Sequence, residues 1–317
     1  YLVGSTESLG RLFSQMPWLI NSFLSLPLCR ELLKKQIGLR DFPEYSPESV
    51  RKRLLNYDQT AFNLDDLYTL SAEESKRSVI LLQDAFTSFY ESQVVVEFYQ
   101  LLKKLDFSVY VAPFHPNGKP LHVKGFLTKF RSVAERNTKW LTHVGGAGIP
   151  IVGLDPSIVL TYRDEYLRIL GQKDLPFKVQ LPQEFLMMNS KNCRRHSVKS
   201  KQNIEEYHLL GHCTEKTTAE GSLELWKDVF DLFGLDLMLI NAGCCGMAGT
   251  YGHETEHYEE SLGIYNLSWR KKIPEDPFYR QKILVTGFSC RSQVKRFDGF
   301  RPLHPVQALL REIKSVY

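Results

Sequence analysis

Residues 77–114, RSVILLQDAFTSFYESQVVVEFYQLLKKLDFSVYVAPF, decide the fold. RSVILLQD is an unbroken apolar run closed by turn-forming residues, which predicts a strand buried on both faces, as in a parallel sheet. ESQVVVEFYQLLKKLDF then repeats its apolar residues at helical spacing, and SVYVAPF returns to a strand. Two parallel strands joined by a crossover helix need covering helices on both faces of the sheet.

The same alternation runs outward from this stretch. VKGFLTKFRSVAERNTKWLTHVGG reads as a helix ending at paired glycines, IPIVGLDP as a third strand and SIVLTYRDEYLRILG as its helix. Residues 172–205 read as a less regular connection containing Pro176, Pro182 and the basic run NCRRHSVKSKQ. The alternation then resumes: EEYHLLGH, LDLMLINAG and QKILVTGFS as strands; TTAEGSLELWKDVFDLFG, HYEESLGIYNLSWRKKI and HPVQALLREIK as helices. Upstream, residues 1–60 carry helical spacing broken by Pro17 and Pro27, with a helix start expected at Ser46-Pro47-Glu48. The expected fold is therefore α/β: two tandem Rossmann-like parallel-sheet units forming an internal repeat, behind a helical N-terminal segment. The expected boundaries are 1–70 for that segment, 71–175 for the first unit, 176–205 for a linker and 206–317 for the second unit.

Composition limits the function classes. The 317 residues are 43% hydrophobic and 24% charged, with a net charge of +4 and no dominant basic block, so nucleic acid is not an expected partner. No apolar run reaches the ~20 residues needed to span a bilayer. Without a secretory signal at its start, the chain is expected in the cytoplasm or at the periphery of the inner membrane. It opens on Tyr1 and not on Met, as a piece of a longer chain would. Six cysteines are too few for a disulfide scaffold. Cys29 and Cys193 read as buried thiols.

The other four cysteines fall into a pattern. Laying the halves over each other puts Ala85 where the second half has Cys213, His115 about where Cys244 stands, and Ile158 opposite Cys290. The separations run 30 and 43 residues in the first half against 31 and 46 in the second. Cys213, the Cys244–Cys245 pair and Cys290 each follow the end of an expected strand. In a parallel sheet those ends share one edge, where such folds bind ligands. Four thiolates gathered there form the ligand set of a [4Fe–4S] cluster or of a closed, all-thiolate zinc site. Gly243, Gly246 and Gly249 allow the sharp turns that such a site needs. His212 and His253 are candidate supporting groups or substitute ligands, or turn caps. A metal-free docking module with vicinal thiols is the third reading.

These residues resemble the cysteine-rich "CCG" domain found in heterodisulfide reductases and in the iron–sulfur subunits of glycolate, lactate and glycerol-3-phosphate dehydrogenases. Cys213, Cys244-Cys245-Gly246 and Cys290 match its pattern. The final Cys-x-x-Cys reads CRSQ here, with Gln293 in the last place, which argues against a five-thiol non-cubane cluster. QDAFTSFYES, PFHPNGKPLHVKGFL, GLDPSIVLTYRDEY, GHCTEKT, GCCGMAGTYGHE and HPVQALL look like the C-terminal region of large bacterial flavin- and iron–sulfur-dependent D-2-hydroxyacid dehydrogenases, the group that includes D-2-hydroxyglutarate dehydrogenase. The resemblance covers nearly the whole chain. It implies an electron relay from an FAD held elsewhere in the polypeptide, with FAD-binding and ferredoxin-like domains as partners and an unidentified electron acceptor. It also implies that this piece is inactive alone. In the first half, His115, Asn117, Lys119, His122 and Lys124 are expected at the matching sheet edge, to hold a substrate carboxylate or to dock the other domains.

Overall fold

The computed structural model describes residues 4, 6–57, 61–196 and 206–314. Helices α1 (Thr6–Phe13) and α2 (Pro17–Ser25) open the chain; Pro17 begins α2, where a missing N–H costs nothing. A short helix at Pro27–Leu32 follows and ends by Gly38, whose φ of 76° suits glycine.

The first sheet then forms as the apolar runs dictate. Strand β1 (Ser78–Leu82) is buried along its whole length. Asp84 caps α3 (Ala85–Tyr90), its carboxylate accepting from the Phe86 and Thr87 N–H groups at 2.8 Å. Helix α4 (Ser92–Lys104), β2 (Ser108–Val111), α5 (Leu127–Gly146), β3 (Ile151–Gly153), α6 (Pro156–Arg163) and β4 (Val179–Gln180) complete the unit. All strands run parallel in the order β2-β1-β3-β4, with Val79 opposite Val109 and Ile80 opposite Ile151.

The second sheet repeats the plan. Strand β5 (Tyr207–Leu210) is followed by α7 (Cys213–Thr218) and α8 (Ser222–Leu232), β6 (Leu237–Leu239), α9 (Tyr258–Ser268), β7 (Ile283–Val285), α10 (Phe288–Asp298) and α11 (Pro305–Lys314). Its order is β6-β5-β7, all parallel, and a lone parallel bridge from Leu284 to Leu303 stands where the first sheet has β4. Ala85 and Cys213 each begin a helix; Ile158 and Cys290 are each the third residue of one. One apolar cluster joins the sheets, containing Val79 and Leu81 of β1, Tyr207 and Leu209 of β5, and Trp226 and Leu309 of the covering helices. No helix among the described residues is long and apolar enough to cross a membrane.

Several local expectations need correction. The first-half helix start lies at Ser49, not Ser46: its hydroxyl accepts from Lys52 N–H at 3.2 Å, and the helix is Val50–Leu54. The connection after residue 172 contains β4 and helices Pro182–Met188 and Ser190–Arg194; the rest of the basic run, residues 197–202, lies outside the described residues. The helix expected over 217–234 is broken at Gly221, whose φ is 74°. Helix α10 had no apolar period to announce it, because Arg291, Ser292 and Gln293 occupy its buried side.

Candidate metal centre

The carboxyl ends of β5, β6 and β7 do share one edge, and the four cysteines meet there. Cys213 and Cys245 each hydrogen-bond the Cys244 sulfur, and Cys245 also hydrogen-bonds Cys290. The thiols thus form a continuous chain: 213, 244, 245, 290. Cys245 and Cys290 are buried, Cys213 is half-buried and Cys244 is exposed. The bonds from Cys213 and Cys245, the Gly246 N–H at 3.3 Å and the His212 ring hold the Cys244 thiol well below its ordinary range. Cys213 and Cys245 are pushed up by the same hydrogen bonds and by burial.

Local sequence explains the turn. Gly246 has a φ of 86°, and a Cβ there would stand 2.4 Å from the Ser261 carbonyl oxygen. Gly243 is clamped by α9 and the residue after it: its N–H donates to Ser268 Oγ at 2.6 Å and its carbonyl accepts from Trp269 Nε1 at 3.0 Å. Gly249 also has positive φ, and its Cα faces Val123 of the first half.

The spread of the sulfurs tests the fit of a metal. A tetrahedral zinc with 2.3 Å bonds holds its sulfurs about 3.8 Å apart. Among the described residues, the group of three ligands lying within 4.8 Å of one another is Glu254, Glu256 and His257; no three of the thiols are that close. The donor set is all sulfur, its chain is extended, and an N–H points at its most exposed member. That is the donor chemistry of an iron–sulfur cluster or of an all-thiolate zinc site. Cys29 and Cys193 lie elsewhere; burial pushes the Cys193 thiol up to about 12.

The histidines separate. His212 caps α7, its Nδ1 accepting from Thr214 N–H at 3.2 Å, while Nε2 faces Ser289 Oγ at 3.2 Å. Ser289 Oγ lies 4.0 Å from Cys290 Sγ, so His212 reaches the end of the thiol chain through one hydroxyl. His253 Nδ1 is instead hydrogen-bonded to Asp41, which also pairs with Arg296.

The first-half candidates do not converge. His115 stacks on Trp140, ring centroids 3.9 Å apart. Asn117 is buried, its N–H donating to Glu7 at 2.7 Å. Lys119 pairs with Glu165, His122 lies 4.0 Å from that same carboxylate, and Lys124 pairs with Glu254.

Two residues support the site in ways the sequence reading did not foresee. Gln293 Nε2 donates to the Cys245 carbonyl at 3.0 Å and to Ser261 Oγ at 2.8 Å. Its position one helical turn after Cys290 was visible, but its partners are remote in sequence. Asp155, the cap of α6, reaches from the first half to accept from the Phe288 N–H at 2.8 Å, at the start of the helix carrying Cys290.

Fold and site together define a vicinal-cysteine α/β protein with paired parallel sheets. Over 314 residues, 99% of its length, the chain is 42% identical to D-2-hydroxyglutarate dehydrogenase of Escherichia coli K12. It is 36% identical over 319 residues to the protein of that name from Haemophilus influenzae. The chain spans about 30% of the length of these relatives, so it matches a region of a larger enzyme. It is more distantly similar, 23% over 329 residues, to one subunit of the anaerobic glycerol-3-phosphate dehydrogenase of Escherichia coli K12, covering 76% of that protein. No protein-family model matches the chain.

Proposed function

We propose that this chain is the electron-relay region of a flavin-dependent D-2-hydroxyacid dehydrogenase that oxidises D-2-hydroxyglutarate to 2-oxoglutarate. On this reading residues 206–317 carry the chemistry, 71–175 completed by β4 are their thiol-free sibling, the rest of 176–205 connects the two and 1–70 form the N-terminal helical segment. FAD resides in a part of the polypeptide outside this chain, and the chain alone does not turn over substrate.

The observation carrying the proposal is the unbroken chain of four thiols at one sheet edge, in a chain whose relatives are dehydrogenases. Cys213, Cys244, Cys245 and Cys290 would hold a [4Fe–4S] cluster, which supplies one-electron transfer. The chain's own residues prepare that place. Gly246 N–H lowers the charge cost of a thiolate at Cys244. Gln293 and Ser261 fix the Cys245 turn, and Ser289 with His212 borders Cys290. Lys119 and Lys124 are neutralised by their own carboxylates, which favours a structural over a substrate-binding role for them.

Anaerobic purification tests the reading. Brown protein with iron and acid-labile sulfide near four each per chain is the expected result, lost in Cys245→Ser. Colourless protein with one zinc would replace the reading by a structural site, and protein with neither metal by a docking module.

A further inference from the structure

Beside the thiols lies a cavity of ≈ 680 Å³, within the ordinary range for sites that bury an organic ligand. Its floor carries Cys213, Cys244 and Cys245, and its walls come from both sheet units and from the N-terminal helices. Phe13 of α1 and Ile20 and Leu24 of α2 line one side. Phe86 and Phe288 line another; their rings are stacked, 5.3 Å apart and 7° from parallel. A flat ring has a matching aromatic face there.

Charge narrows the occupant further. Each Lys or Asp side chain lining the cavity is already engaged: Lys119 with Glu165, Lys124 with Glu254, and Asp155 with the Ser157 and Phe288 N–H groups. An anion would find no uncommitted ammonium, so the occupant is neutral. At the sulfur end Ser289 offers a hydroxyl, while Phe13, Ile20, Phe23, Leu24 and Phe42 make the side toward the N-terminal helices apolar. On their outer sides α1 and α2 continue the apolar character to the surface: Leu12 is 58% exposed and Trp18 71%. A ligand with a polar ring at the thiols and an apolar tail leaving between these helices fits every wall.

We propose that this cavity binds a neutral, lipophilic quinone, the two-electron acceptor that the relay reading lacks; the inference rests on that reading for its redox role but not for the binding itself. The balance closes: oxidation of a secondary alcohol to a ketone releases two electrons and two protons, and the quinone's two carbonyl oxygens take them up to give the hydroquinone.

The test is calorimetric titration of anaerobically purified protein, in its full-length polypeptide, with decylubiquinone, 1-decanol and anthraquinone-2,6-disulfonate. Saturable one-to-one binding of decylubiquinone is expected, with at least tenfold weaker binding of the alcohol and of the dianion. Leu24→Arg and Ile20→Trp, which charge or fill the cavity, are each expected to weaken it at least tenfold at unchanged iron content and unchanged melting temperature. Met238→Arg, on the far edge strand, leaves it unchanged. Absence of saturable binding overturns the proposal, as does equal affinity for decanol or indifference to both cavity variants. Iron and sulfide are counted in the same samples beside Cys245→Ser: quinone binding with no iron lost on that substitution would sink the relay reading alone, and iron lost on it without quinone binding in the parent this one alone.

Discussion

Arg291 and Glu91 meet across the junction of the two sheet units with almost no exposure to water, Nε of one 2.9 Å from Oε2 of the other. Arg291 Nη1 donates to the Val285 and Thr286 carbonyls, Nη2 donates to Glu91 as well, and Arg301 bonds the second Glu91 oxygen at 2.8 Å. Arg291 adjoins Cys290, so the ion pair also fixes where α10 delivers its sulfur.

Removing one partner of such a pair strands a buried charge. Glu91→Ala is expected to cost about 3–5 kcal/mol of stability, and Glu91→Gln less, because the amide still accepts from one arginine. Urea denaturation measures both. Equal stability of Glu91→Ala and the parent would show that the pair does not hold the units together.

The vicinal turn has little room for change. Gly246→Ala must keep a φ of 86° with its methyl against the Ser261 carbonyl, and Gln293→Leu leaves the Cys245 carbonyl and Ser261 hydroxyl short of a donor. The second loss is expected to cost roughly 1–3 kcal/mol, and the first at least as much. Both variants should also bind less iron; full iron content in both would mean that the turn does not position the thiols.

Thiol loss should be selective. Cys213→Ser, Cys245→Ser and Cys290→Ser are expected to lose most bound metal, while Cys29→Ser and Cys193→Ser, away from the chain of sulfurs, keep it. Elemental analysis decides. Uniform retention in all five variants would rule the sulfur chain out as the ligand set.

Acidity should tighten the N-terminal helix. Burial raises the Glu7 carboxyl from 4.5 to about 7, despite two backbone N–H groups that favour its charge. The folded state therefore binds this proton more tightly than the unfolded one. Its stabilising effect is complete below about pH 4.5 and is lost as pH rises through about 7, a change on the order of 3 kcal/mol. Thermal melts between pH 5 and 8 should fall more steeply for the parent than for Glu7→Gln. Parallel curves would show that Glu7 is not the responsible group.

Much of this was legible in the chain itself. Buried runs such as SVILL need no tertiary information to read as parallel strands, because both faces of such a strand are apolar. Helix α10 was not legible, since Arg291 and Gln293 share its buried side with Phe288 and Val294 and are satisfied by Glu91, Cys245 and Ser261, all distant in sequence. The first-half cluster was legible as residue types but not as partners: Lys119 and Lys124 look free until Glu165 and Glu254 are folded against them.

By itself, then, the sequence settled that three thiol-bearing segments follow three parallel strands, because strand pattern and spacing are local properties. Only the packed molecule decided that Cys244 binds both neighbours, that the lysines are spent, and that α1 and α2 roof an apolar chamber over the sulfurs. Those outcomes depend on side chains meeting across the junction of two sheets, and no local pattern encodes which surfaces will meet.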